Sequence, residues 1–301
     1  MNSRGAVPSI PAAADRRTRT IGVLCGIGVV LLFSGFTLVS RLGFASSLKL
    51  IDIAALRFGI GGLVLLPVLL RYGFAGVRWY EAAALALSGG LGFALCAYTG
   101  FSLAPAAHGG VLLHGTLPLF TFALGWIFMS VTSSGRRTLG LLAILLGILA
   151  IASDSLATST VRQLWGDGAL LLASICWSTY GLLARRLGLA PAHSASIVAV
   201  LSMCCFIPVY LLLPGKALPL ASWQELVFQG AFQGVLIAAL SIYLYSKAVA
   251  SLGATDTALF TAAVPCVTTV AAVFLLSETP GAMAIAGVLI VTTGMAISMK
   301  N

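Results

Sequence analysis

The sequence predicts an all-α membrane protein of ten transmembrane helices in two inverted five-helix repeats. Three observations predict it: a composition that no water-soluble surface accommodates, ten apolar runs of spanning length, and residues that recur between the two halves. Of the 301 residues, 59% are hydrophobic and 8% charged, against roughly 25% charged in soluble domains. A hydrocarbon core takes about 20 helical residues per crossing, so the length is consumed by spans and short turns.

Residues 1–19 are polar and Ala/Pro-rich, with Arg4, Arg16, Arg17 and Arg19 ahead of the first apolar run. They read as a disordered cytoplasmic tail. A secretory signal is disfavoured, because the run from Ile21 to Val39 exceeds a signal's apolar core and lacks a small-x-small cleavage site. The spans of the first repeat, 20–154, then fall at 20–40, 51–70, 80–103, 107–130 and 138–154. Those of the second, 155–301, fall at 165–184, 194–213, 225–248, 254–277 and 281–299. Only helices and closed barrels satisfy their own backbone in lipid, and the short alternating strands of a barrel are absent from the pattern.

Placing both termini in the cytoplasm puts twelve basic residues on that side: Arg4, Arg16, Arg17, Arg19, Arg71, Arg78, Arg136, Arg137, Arg185, Arg186, Lys247 and Lys300. Five (Arg41, Lys49, Arg57, Arg162 and Lys216) lie outside or toward it. This is the bias that sets membrane topology, so the net charge of +9 reads as orientation in a lipid bilayer and not as a nucleic-acid footprint. The six cysteines lie within apolar runs and form no CxxC pair; they read as packing residues, with no disulfide, metal or cofactor implied.

The repeat is the most specific feature. Phe33-Ser34-Gly35-Phe36-Thr37-Leu38 with Arg41 in the first span returns as Trp177-Ser178-Thr179-Tyr180-Gly181-Leu182 with Arg185 in the sixth. Tyr98 pairs with Tyr245, Pro118 with Pro265, Gly140 with Gly287 and Gly147 with Gly294, all 147 residues apart. Five spans per half is an odd number, so the second half enters from the opposite side. Inverted repeats related by an axis in the membrane plane are a transporter architecture.

The Arg57-Phe58 pair early in the second span, the proline helix through Pro265 ending at Ser277-Glu278, and the final glycine-punctuated helix from Gly287 to Gly294 together resemble the drug/metabolite transporter superfamily. The resemblance covers nearly the whole chain and is to its ten-helix, EamA-domain branch, which includes amino-acid exporters. It implies a multi-pass protein of the bacterial inner membrane that exports small molecules, aromatic amino acids among them. One departure is that Glu278 corresponds to Val131, so the two halves do not share an acidic helix end.

A transporter of this architecture binds its solute near mid-membrane, where the halves meet. Candidate substrate contacts are Phe33 and Phe36, Trp177 and Tyr180 (each pair at i, i+3 on one helix face), Ser178, Tyr98 and Tyr245, and His114, the most deeply embedded histidine. Ordinary helix packing competes with this reading for each aromatic. Pro118 and Pro265 fall near the middle of the fourth and ninth spans, where proline removes an intrahelical bond, and are candidate hinges. Arg57 is a candidate gate whose long side chain is able to snorkel toward an interface. His108 and His193 sit near span ends and carry little information.

The acids Asp15, Asp52, Glu81, Asp154, Asp167, Glu225, Asp256 and Glu278 lie in the tail or near helix ends. A midplane carboxylate, the usual device of proton-coupled cation export, is therefore not expected, nor is the basic cluster a phosphate would want. Neutral or zwitterionic metabolites fit best, most simply amino acids including aromatic ones, carried by alternating access. The alternatives are a multidrug or cationic-drug exporter and a non-transporting scaffold or lipid-handling protein. An enzyme is disfavoured, since Asp167 has no membrane partner aspartate and there is no HExxH or recognisable serine–histidine motif. Oligomeric state is left open, with a monomer sufficient.

Overall fold

A computed structural model of the chain describes residues 16–74, 76–104, 106–130, 132, 134–156, 161–275 and 282–299, with the side chains of 107, 151–156, 284 and 299 outside that description. Val131, Ser277 and Glu278, where the two halves were expected to differ, lie outside it, as do Arg4, Asp15, Lys300 and the Asp154 side chain.

Ten crossings account for the described chain. In the first half they are α1 (Arg16–Phe44), α2 (Leu50–Tyr72), α3 (Trp79–Leu103), α4 (Gly109–Met129, preceded by one turn at Ala106–His108) and α5 (Gly135–Leu156). The second half contributes α6 (Val161–Arg186), α7 (Pro191–Leu212), α8 (Trp223–Leu252), α9 (Ala254–Leu275) and α10 (Ala282–Met299). Each lies within a few residues of its apolar run. The first helix starts earlier, at Arg16, so Arg16, Arg17 and Arg19 sit on its exposed first turns.

In eight of these helices, α1–α4 and α6–α9, about half of the spanning window is buried, between 44 and 56%, although the helices are apolar all round. The outward half carries Leu24, Leu31, Leu63, Leu70, Phe128 and Phe274. A surface of that kind is at home only in hydrocarbon. Tyr72, Trp79, Trp165 and Trp223 are exposed at span ends, where amphipathic rings meet the headgroup layer.

The halves interlock, and the pairing obeys the repeat. Helix α1 packs on α8 and α9, while its counterpart α6 packs on α3 and α4; α2 meets α7 and α5 meets α10. The α5/α10 contact shows the inversion residue by residue. A Cβ on Gly140 would lie 2.7 Å from the Gly294 carbonyl, and one on Gly147 2.8 Å from the Gly287 carbonyl, so these helices touch backbone to backbone. Numbers rise along one helix as they fall along the other, hence the pair is antiparallel. Shifting Gly140 and Gly147 by 147 residues gives Gly287 and Gly294, and the two contacts exchange, as a two-fold axis perpendicular to the helices requires.

The irregular turns repeat as well. Wide π turns run through Leu87–Leu91 of α3 and Gly230–Ser241 of α8. Helix α4 is wide over Gly109–Gly115 and restarts at Leu117, and α9 stops at Thr261 and restarts at Val264. The sequence placed Pro118 and Pro265 in the middle of continuous helices as hinges; instead, both follow a break. Each is second in a new helical segment, where its missing N–H has no intrahelical partner to lose.

Candidate functional site

Phe33 on α1 and Trp177 on α6 are repeat equivalents, and their rings touch at 5.4 Å between centroids. A residue in contact with its own symmetry mate lies beside the symmetry axis. That axis runs in the membrane plane, so this pair marks the middle of the bilayer.

An aromatic cluster radiates from it. Trp177 also contacts Phe93 at 4.4 Å, Tyr180 at 5.2 Å and Tyr245 at 5.1 Å. Phe36 meets Tyr98 at 5.6 Å, as Tyr180 meets its equivalent partner Tyr245 at 6.1 Å. His114, at the α4 break, lies 5.0 Å from Phe33. The aromatics Phe33, Phe36, Tyr98, Trp177, Tyr180 and Tyr245, with His114 and Ser178, are all fully buried and come together around the axis. Phe36 lies one turn from Phe33 toward one membrane face and Tyr180 one turn from Trp177 toward the other, so the cluster spans roughly 9 Å along the membrane normal. Small residues make room for it: a Cβ on Gly89 would lie 2.6 Å from the Tyr180 ring, and one on Gly181 2.7 Å from the Tyr245 hydroxyl.

The repeated serines tie this centre to the helix breaks. Ser34 Oγ donates to the Val264 carbonyl at 3.5 Å, and Ser178 Oγ donates to the Leu117 carbonyl at 3.4 Å. Both long bonds cross between the halves, and both end on the residue before the repeated proline.

Polar groups inside the cluster are unevenly satisfied. Tyr98 donates to Gln233 Oε1 at 3.0 Å, and Gln233 Nε2 donates to Ser40 at 3.1 Å and Gln229 at 3.3 Å. The Tyr180 hydroxyl shares bonds with Ser194 at 2.9 Å and Ser246 at 2.7 Å. In contrast Trp177 Nε1, both His114 ring nitrogens, Thr37 Oγ1 and both terminal nitrogens of Arg57 have no partner. The Gly109 backbone lies beside the His114 ring but makes no bond of acceptable geometry with it. Buried polar groups are normally paired, and these unpaired atoms gather around one point, the repeat axis.

Three expectations change. Arg57 does not snorkel: it is 1% exposed and lies over the faces of Phe36 and Phe93, at 5.3 and 5.6 Å, because its face of α2 turns toward the axis. His108 is informative after all, buried and bonded through Nδ1 to Asp167 Oδ1 at 2.6 Å. Asp167 and Asp52, though near helix ends, are buried as well. Asp52 accepts bonds from Tyr210 Oη at 2.7 Å, Lys49 N at 3.0 Å and Ala217 N at 3.2 Å. Phe93, Gln229 and Gln233 were not anticipated; the two glutamines sit at i, i+4 in an otherwise apolar run, which is the signal that was available. Tyr243, on the same helix as the glutamines, is 39% exposed and outside the cluster.

The ends of the bundle are held separately. At one end Arg41 donates to the carbonyls of Ala104 at 2.8 Å and Phe101 at 3.3 Å, and Ser46 and Ser47 donate to Glu225. At the other end Arg137 pairs with Asp256. Its counterpart of Arg41, Arg185, lies against Gly253 at the end of α8.

Comparison with known proteins agrees with this architecture. An uncharacterized transporter of Bacillus subtilis (strain 168), YyaM, is 25% identical over 231 residues, covering 71% of this chain and 73% of that protein. A solved crystal structure, described only as that of a protein, superposes with a TM-score of 0.71 at 17% identity over 93% of this chain and 98% of that one, a likeness of fold. The model of the EamA-like transporter family matches residues 20–153 and 164–300, one copy per half. With both copies present over nearly the whole length, the chain belongs to the EamA-like transporter family, as a multi-pass membrane transporter and not an enzyme.

Proposed function

We propose that this transporter exports small neutral or zwitterionic metabolites, most simply amino acids including aromatic ones, from the cytoplasm across a bacterial inner membrane with both termini inside. The observation that carries the reading is the buried aromatic cluster on the repeat axis, with orphan donors at Trp177, His114, Thr37 and Arg57. Rings suit the planar or apolar part of a solute, and isolated donors suit a few polar atoms.

The rings of Phe33, Phe93 and Trp177 touch, which leaves no space for a solute between them in this state. Admission then requires the halves to move apart on one side while the other stays closed, by rocking about the axis. Pro118 and Pro265, at the starts of the second segments of α4 and α9, are the proposed flexing points. Proteoliposome uptake of labelled amino acids, with and without a pH gradient, tests this. Saturable uptake with mutual competition among aromatic amino acids is expected; absence of competition for one site overturns it.

One observation favours a second reading, a cationic-drug exporter. The Asp167–His108 pair is buried, with Asp167 Oδ2 and His108 Nε2 unpartnered, and a buried carboxylate allows proton and cation to compete. A proton-driven flux of a cationic dye that Asp167→Asn abolishes would establish it.

A further inference from the structure

Arg57 is the one guanidinium that reaches the aromatic centre among the described residues. It sits about seven residues along α2 from its N-terminal end, fully inside the bundle. Arginine stays protonated at any accessible pH, so a full positive charge is held there. Its Nη1 and Nη2 have no hydrogen-bond partner, and neither ion pair present among the described residues includes it. The Tyr98 phenol donates to Gln233, and although its oxygen lies close to the guanidinium the two make no bond of acceptable geometry. Asp52, on the same helix, is occupied by Tyr210, Lys49 and the Ala217 backbone.

The faces of Phe36 and Phe93 offset part of the cost of burying this charge, but an ion away from water also needs hydrogen-bond partners. Two free, coplanar N–H groups form a fork that matches one carboxylate. A doubly charged phosphate would want a second cation, and none joins the cluster. The second half offers no equivalent: the positions 144 and 147 residues on are Leu201 and Cys204. The site is therefore polar at one end, with the charge about one turn from the Phe33–Trp177 midplane.

We infer that Arg57 binds a carboxylate of the transported solute, whose apolar part lies among Phe33, Phe93 and Trp177. The inference deepens the amino-acid reading and rests on it for the amino group alone; the carboxylate stands on Arg57. Four solutes separate the two claims: phenylalanine, phenylalaninamide, 3-phenylpropionate and 3-phenylpropionamide, each followed by uptake into proteoliposomes of the full chain. Each acid should be carried roughly 10- to 100-fold better than its amide, the size of a charge-assisted bond. Arg57→Met should remove that preference, and Arg57→Lys, which keeps the charge without the fork, should restore part of it. Thermal unfolding in detergent confirms that each variant folds.

Transport of 3-phenylpropionate but not phenylalanine would sink the amino-acid reading and leave the Arg57 role intact. Equal transport of phenylalanine and its amide, or an acid preference that persists in folded Arg57→Met, would overturn the Arg57 role and leave the amino-acid reading standing. Carriage of none of the four would count against both.

Discussion

Replacing Trp177 by phenylalanine separates packing from solute binding, because the two roles lie on different atoms of one side chain. The ring packs edge-on or tilted against four others, Phe33, Phe93, Tyr180 and Tyr245, at 4.4–5.4 Å. At about 0.5–1.5 kcal/mol per aromatic pair, these contacts are together worth about 2–6 kcal/mol, in line with the ~3–5 kcal/mol typical of truncating a buried Trp to alanine. Phenylalanine keeps a ring in place. What it removes is a smaller area and the Nε1–H, a buried donor without a partner, whose unmet desolvation costs about 1–3 kcal/mol.

The loss of area and the relief of the orphan oppose each other, so Trp177→Phe is expected to unfold within about 1 kcal/mol of the parent. Trp177→Ala should lose about 3 kcal/mol or more. If the N–H is kept for the solute, Trp177→Phe should still weaken binding by one hydrogen bond, about 0.5–1.5 kcal/mol, a rise in KM of roughly 2- to 12-fold. Denaturant or thermal unfolding in detergent gives the first quantity and concentration-dependent uptake into liposomes the second. A variant that unfolds much more easily yet keeps its KM would refute the reasoning, since the nitrogen would then matter to the fold and not to the solute.

The other predictions concern the frame. Gly147→Leu forces a side chain into the 2.8 Å approach to the Gly287 carbonyl and should destabilise by about 1–3 kcal/mol or more, with KM unchanged in the protein that folds; unfolding and uptake measured on the same preparation decide it. Pro118→Ala should change stability by less than about 1 kcal/mol, because the residue sits in the first turn of its segment, while slowing turnover if the break flexes; an unchanged rate in well-expressed protein removes the hinge role. Asp167→Ala should cost about 1–3 kcal/mol by leaving the buried His108 Nδ1 without its partner, and a double-mutant cycle with His108→Gln should show coupling, whereas additive losses would mean the pair is not an energetic unit.

Much of this was legible in the sequence for one physical reason. Lipid demands about 20 apolar residues per crossing, so the polar breaks locate helices closely, and the 147-residue spacing of Tyr98, Pro118, Gly140 and Gly147 carries the inversion. The aromatic motif of α1 and α6 was readable because duplication printed it twice. What stayed hidden was facing. Apolar all-round helices have no amphipathic stripe to say which side is inward, so nothing distinguished an Arg57 turned to the axis from one that snorkels. The same gap concealed the His108–Asp167 pair, formed by residues 59 apart, and the break before Pro118, which depends on how α4 meets the Ser178 tether.

A symmetric frame with asymmetric contents has a consequence for mechanism. The two-fold relation of the halves makes inward and outward states similar in scaffold energy, because each exchanges the roles of the repeats. The residues that break the symmetry then bias the balance. Arg57 and its Gln233–Tyr98 neighbours lie on one side of Phe33–Trp177, whereas the other side holds the Tyr180–Ser194–Ser246 hydroxyls. A solute can shift an equilibrium only by its difference in affinity for the two states. If the charged end of the site gains its partner in one state more than the other, the solute itself favours that state. The clamp of Arg41 on Ala104 and Phe101 sits directly beyond this charged end. Loading at Arg57 and opening at Arg41 are therefore neighbouring events, through the Phe36–Phe101 contact at 5.1 Å, and substitution at either should alter the rate set by the other.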